Sequence, residues 1–162
     1  MTLPARCALA AALLFSCAHA RPEDAGAREA IARELDGFHD AAARADEEQY
    51  FAHFAPNAVF LGTDASERWD VAAFRAYAHP HFARGKAWSF RGVRRAIAVR
   101  GDVAWFEEDL ETQNLGPARG SGVLVRSGSR WLIEQYVLSI PIPNQRFREV
   151  RELLTSPSRA SP

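Results

Sequence analysis

The chain has 162 residues, 20 basic against 20 acidic side chains, and is 48% hydrophobic and 10% aromatic. That is one globular domain of ordinary make-up, too apolar for a disordered chain and too short for a multidomain enzyme. The balanced charge excludes the electrostatic footprint of a nucleic-acid or anionic-membrane partner.

Residues 1–20 read as a secretory signal peptide. Arg6 supplies the positive charge, an apolar run comes next that is too short to span a bilayer, and Ala18-His19-Ala20 offers a small-x-small cleavage pattern. The expected location is periplasmic or secreted. In the alternative, Leu14-Phe15-Ser16-Cys17 is a lipobox and the protein is a lipoprotein anchored through Cys17, its one route to a membrane. Cleavage after Ala20 leaves a mature chain without Cys7 and Cys17; in the lipoprotein Cys17 stays only as the lipidated first residue. Either form keeps no disulfide, thiol nucleophile or thiolate ligand, so its apolar core must hold it together.

Residues 21–44 are helical by pattern, with Ile31, Leu35, Phe38 and Ala42 on one stripe. Asp46 with Gln49 fits a capping box that opens a short helix, which Pro56-Asn57 ends. Val59-Phe60-Leu61 is a short strand before a loop at 62–66. Asp70 is a natural N-cap for the next helix, with Val71, Phe74, Tyr77 and Ala78 turned inward; Pro80 should bend or restart it before Gly85. From Trp88 the period changes to 2. Strands are expected over 88–99, 103–112, 120–126 and 130–140, with turns at Gly101-Asp102 and Gly128. Asn144 caps a last helix at 145–154 carrying Phe147, Val150 and Leu154, and 155–162 is a disordered tail. Helices first and long antiparallel strands after predict an α+β domain with helices on one face of a curved sheet.

This order, together with particular stretches, resembles the SnoaL-like proteins of the nuclear transport factor 2-like superfamily over residues 28–143. The stretches are Phe54-Ala55-Pro56-Asn57-Ala58-Val59-Phe60-Leu61-Gly62-Thr63-Asp64, Glu67-Arg68-Trp69, Val103-Ala104-Trp105-Phe106-Glu107-Glu108 and Trp131-Leu132-Ile133-Glu134-Gln135-Tyr136. The resemblance implies a cone-shaped sheet wrapped around N-terminal helices, with a SnoaL-like domain at 21–144 and an apolar pocket inside the cone. It also implies a small-molecule ligand, a homodimer and no cofactor. Many related domains carry two histidines on the last strand; here Gln135 and Val137 stand instead, so no histidine acid–base pair is carried over.

Among residues able to do chemistry, Glu108 stands out. It shares a strand face with Ala104, Phe106 and Leu110, where desolvation would raise its pKa toward that of a general acid or base. Equally, it could pair with Arg91, Arg94 or Arg95 and be structural. Asp64 is the second catalytic candidate, at a pocket rim, unless it merely holds its loop as an Asx turn. Tyr50, Trp69, His79, Trp88 and Tyr136 are candidates for the ligand-binding pocket. His79-Pro80-His81 invites a metal reading, but residues two apart on a helix diverge and no third ligand is suitably spaced, so no metal is expected. Two functions stay open: a pocket protein for a small, largely apolar ligand, with or without cofactor-free acid/base catalysis, and a non-catalytic dimeric ligand-binding or accessory module.

Overall fold

A computed structural model describes residues 22–155; the proposed leader, Cys17 and the tail beyond 155 lie outside the described residues. In chain order the elements are α1 (Pro22–Ala43), α2 (Glu47–Ala52), β1 (Phe54–Leu61), β2 (Arg68–Asp70), α3 (Val71–Ala83) and β3 (Phe90–Arg100). Then come β4 (Val103–Thr112), β5 (Pro117–Ser127), β6 (Arg130–Ser139), a 3₁₀ turn at Asn144–Arg146 and α4 (Phe147–Thr155). The six strands form one curved, unclosed sheet in the order β2-β1-β6-β5-β4-β3. Every pairing is antiparallel except β1 with β6, which is parallel, so the sheet is mixed.

The apolar stripe on α1 faces the hollow of this sheet: Ile31, Leu35, Phe38 and Ala42 are buried. Each of the three large side chains contributes roughly 1.5–3 kcal/mol by leaving water. Asp46 and Asp70 cap α2 and α3 by accepting from Gln49 N (3.1 Å) and Ala73 N (2.8 Å), which satisfies amides the helices leave unpaired. Gly101 and Gly128, at φ +61° each, make the two hairpin turns that return β3 into β4 and β5 into β6.

Several expectations need correction. Pro56 does not precede the first strand but lies inside β1. The ladder with β6 jumps there from Phe54↔Ile133 to Val59↔Gln135, so the missing N–H falls in an irregularity. The three-residue β2, paired with the end of β1, is too short to show as a period in the sequence. Helix α3 runs through Pro80, because the hydrogen bond proline forfeits belongs to the last turn. Tyr77 is half exposed instead of facing inward. Asn144 opens the 3₁₀ turn, with Pro143 at the cap position and no side-chain cap. On α4, Phe147, Leu153 and Leu154 are exposed.

Two bulges decide which side chains reach the concave face. On β3 the ladder slips between Gly92 and Arg94, leaving Val93 exposed and turning Arg95 inward. On β6 the pairing passes from Ile133 to Gln135, skipping Glu134. Burial therefore runs Trp131, Ile133, then Tyr136, Leu138: the strand changes which face points inward.

Candidate functional site: a closed polar knot and an open aromatic cleft

Alternation along β4 places Ala104, Phe106, Glu108 and Leu110 inside, all buried. Glu108 thus lies on the concave face, where it is fully paired. His39 Nε2 donates to Oε1 at 2.7 Å and the Tyr136 hydroxyl donates to the same oxygen at 3.2 Å. Arg95 Nε donates to Oε2 at 2.8 Å, its Nη2 lies 2.8 Å from the same oxygen, and its Nη1 donates to Ala32 O (3.0 Å) and pairs with Asp36 (2.8 Å). Gly120 permits this closeness, since a Cβ there would overlap the Tyr136 hydroxyl and lie 3.0 Å from Glu108 Oε1.

The expected rise in the pKa of Glu108 does not occur. Burial pushes the carboxyl up, but hydrogen bonds and charge from His39 and Arg95 outweigh it and hold the group below the usual range. Tyr136 moves the opposite way: burial and the neighbouring Glu108 charge hold its hydroxyl well above the usual tyrosine value. The knot fastens α1 to β3, β4 and β6.

A half-open cleft of about 340 Å³ lies elsewhere, between α3, the β1–β2 hairpin, residues 87–90 and the β4–β5 loop. Phe60, Trp69, Phe74, Tyr77, Trp88 and Phe90 line it, with Leu115 and Leu138. The rings form a layered wall: Trp69 stacks on Tyr77 (4.7 Å, 22°) and on Phe74 (5.5 Å, 11°), and Phe74 on Phe60 (4.0 Å, 20°). Its polar lining includes Thr63, Glu67, His81, Gln113 and Asn114. Phe60 and Phe90 belong to both regions. Phe60 stacks on Tyr136 (5.6 Å) and Phe90 meets His39 (6.3 Å), so aromatic side chains stand between the cleft and the Glu108 knot.

The seven candidates therefore separate. Trp69 and Trp88 line the cleft. Glu108 and Tyr136 meet in the knot, and Tyr50 is in the core, where burial holds its hydroxyl well above the usual value beside the Trp88 indole. Asp64 is exposed and accepts from Ser66 N (2.8 Å) and the Ser66 hydroxyl, the Asx-turn arrangement; those bonds lower its pKa, and the structure does not bring it to the cleft. His79 is turned to the surface and hydrogen-bonds Glu47 (2.8 Å). Glu67 and His81, neither of them a pocket candidate from the sequence, do line the cleft. The signal for His81 was present: Phe74, Tyr77, Ala78, His81 and Phe82 recur at helical spacing on one face. No group of three His, Cys, Asp or Glu side chains among the described residues could hold a metal ion.

A family profile for the SnoaL-like domain matches residues 31–143. The chain belongs to that family. The fold is shared with solved structures at low identity. A nuclear transport factor 2-like protein of unknown function from Pseudomonas putida superposes with a TM-score of 0.64 at 15% identity, covering 75% of this chain and 91% of its own. Two proteins of Novosphingobium aromaticivorans are also similar. One, named provisionally as an aromatic ring hydroxylase, has TM-score 0.63 and 18% identity, covering 77% and 94%. The other, named provisionally as a scytalone dehydratase, has TM-score 0.62 and 12% identity, covering 73% and 86%. No curated protein sequence matches the SnoaL-like chain.

Proposed function

We propose that this SnoaL-like domain binds a small, planar, largely apolar molecule in the aromatic cleft. The layered rings of Tyr77, Trp69, Phe74 and Phe60 carry the reading, because near-parallel faces lining one opening favour a flat ligand that extends the stack. At about 340 Å³ the cleft is at the small end of ligand pockets, which run roughly 300–1,000 Å³ and are mostly apolar. The names given to the two Novosphingobium relatives are compatible with small-ring chemistry on this fold. Cofactor-free acid/base chemistry would have to use groups that reach the cleft, and Glu108 does not line it.

Naphthalene is a sufficient probe. In a ¹H–¹⁵N spectrum of the protein, the indole N–H signals of Trp69 and Trp88 should shift on titration while those of Trp105 and Trp131 stay in place. Trp69→Ala should weaken binding about tenfold, the loss expected when a stacking face disappears. No shift at saturation, or shifts confined to Trp105 and Trp131, would refute the reading.

The non-catalytic dimeric module draws support from a different surface. Val103 and Trp105 are exposed on the convex side of β4, a surface suited to a second copy. A ligand-binding cleft and such a dimer do not exclude one another.

A further inference from the structure

Two polar side chains in the cleft have hydrogen-bonding capacity to spare. Glu67, on the hairpin wall, accepts from Asp64 N through Oε2 at 3.1 Å, and its Oε1 has no partner among the described residues. Its carboxylate packs where a Cβ on Gly62 would stand, so only a glycine at 62 leaves room for it. His81, on the helix wall, accepts from Arg84 through Nδ1 at 3.1 Å. With that lone pair engaged, the neutral ring carries its hydrogen on Nε2, and Nε2 has no partner among the described residues. Tyr77 (5.7 Å) and Trp88 (6.3 Å) flank the imidazole. The lining therefore offers a carboxylate acceptor from one wall and an imidazole N–H donor from another. No lysine or arginine lines it.

We propose that Glu67 and His81 are the specificity-determining pair of this cleft, selecting a neutral planar ligand that bears a hydrogen-bond donor and an acceptor at its edge. This rests on the cleft being a binding site. Glu67 accepts from a ligand hydroxyl, His81 Nε2 donates to a ligand carbonyl, and the rings supply the apolar contact. A carboxylate or phosphate on the ligand meets the Glu67 charge with no lysine or arginine in the lining to offset it, so anionic analogues are rejected.

Four probes of one size separate these roles on the whole protein: naphthalene, 2-naphthol, 2-acetonaphthone and 2-naphthoate. The 2-naphthol should bind about tenfold more tightly than naphthalene, since a hydrogen bond to a charged acceptor is among the stronger kind, and 2-acetonaphthone about fivefold. The 2-naphthoate should bind more weakly than naphthalene. Glu67→Gln should erase the 2-naphthol advantage and relieve the 2-naphthoate penalty while leaving 2-acetonaphthone unchanged. His81→Phe should erase only the 2-acetonaphthone advantage. Each affinity is read as its ratio to that of naphthalene in the same variant, so a change in apolar contact at the substituted residue cancels. Equal affinities for all four probes, or variants that do not split them this way, overturn the pair while leaving the cleft reading standing. Failure of naphthalene itself to bind overturns both.

Discussion

The Glu108 knot and the aromatic cleft are built from the same kinds of group, a glutamate, a histidine and aromatic rings, with opposite outcomes. In the knot both carboxylate oxygens are engaged, by His39, Tyr136 and Arg95, and the carboxyl is buried. In the cleft Glu67 and His81 each spend one polar atom on a local partner and keep another. What separates a fastening from a recognition site here is therefore residual bonding capacity. A buried ion pair with every lone pair matched resists change, whereas a half-matched group at an opening is available to a ligand.

The largest effect should come from opening the knot. Glu108→Gln removes the charge that compensates Arg95, and breaking one partner of a buried pair costs about 3–5 kcal/mol. Urea unfolding at neutral pH measures this; a loss under about 1 kcal/mol would show that the knot is not a fastening. The pH dependence is set by the sign of the shifts. Glu108 and Glu34 titrate lower in the folded protein than in the unfolded chain, Glu34 because His53 and Arg130 outweigh its burial. Their contribution is complete above the ordinary glutamate pKa of about 4.3 and drains away as pH falls through the lower folded values. Glu108→Gln should flatten that acid limb in part, leaving the shares of Glu34 and the exposed Asp64.

A smaller effect is expected at Gly120, where the knot and β5 touch. Gly120→Ala brings a methyl group into the Tyr136 hydroxyl, and overpacking of this kind typically costs about 1–3 kcal/mol. Because the cleft lies on the other side of Phe60, naphthalene affinity should be unchanged while the unfolding midpoint falls. Loss of both together would mean that the two regions are mechanically one.

How far the sequence reaches differs between the two regions. The stripe Ile31, Leu35, Phe38 and Ala42, the caps Asp46 and Asp70, and the inward face of β4 all come from periods of 3.6 and 2 and from capping chemistry, which are local. The partners of Glu108 are less legible, Arg95 appearing only as one of three candidate arginines, because two of them are aimed by bulges. Simple alternation groups Tyr136 with Leu132 and Leu138, yet the slip at Glu134 puts it inside with Trp131 and Ile133. Arg95 is turned in by the slip at Val93 in the same way. An extra residue in one strand leaves composition and hydrophobic pattern nearly untouched, so nothing local announces it. His79 and His81 show the converse. Both are visible as a pair, but only the helical face shared with Phe74 and Ala78 tells which one reaches the cleft.

The smallest expected effect tests the comparison most sharply, because it concerns a neighbour in sequence. Arg94 and Arg95 are adjacent, and each pairs with a carboxylate on β4: Arg94 with Asp109 at 2.8 Å, Arg95 with Glu108 at 2.8 Å. Their chemistry is identical; their faces differ. The Arg94 side chain is 75% exposed on the convex surface, the Arg95 side chain 14% on the concave one. An exposed pair is screened by water and salt, and its loss should change stability by less than about 0.5 kcal/mol. Arg94→Ala and Arg95→Ala, unfolded in urea side by side, should therefore differ by several kcal/mol, since the second strands a buried carboxylate. Equal effects would mean that the bulge at Val93 does not divide the two arginines between faces, and with it the closed knot on which the contrast with the cleft depends would fall.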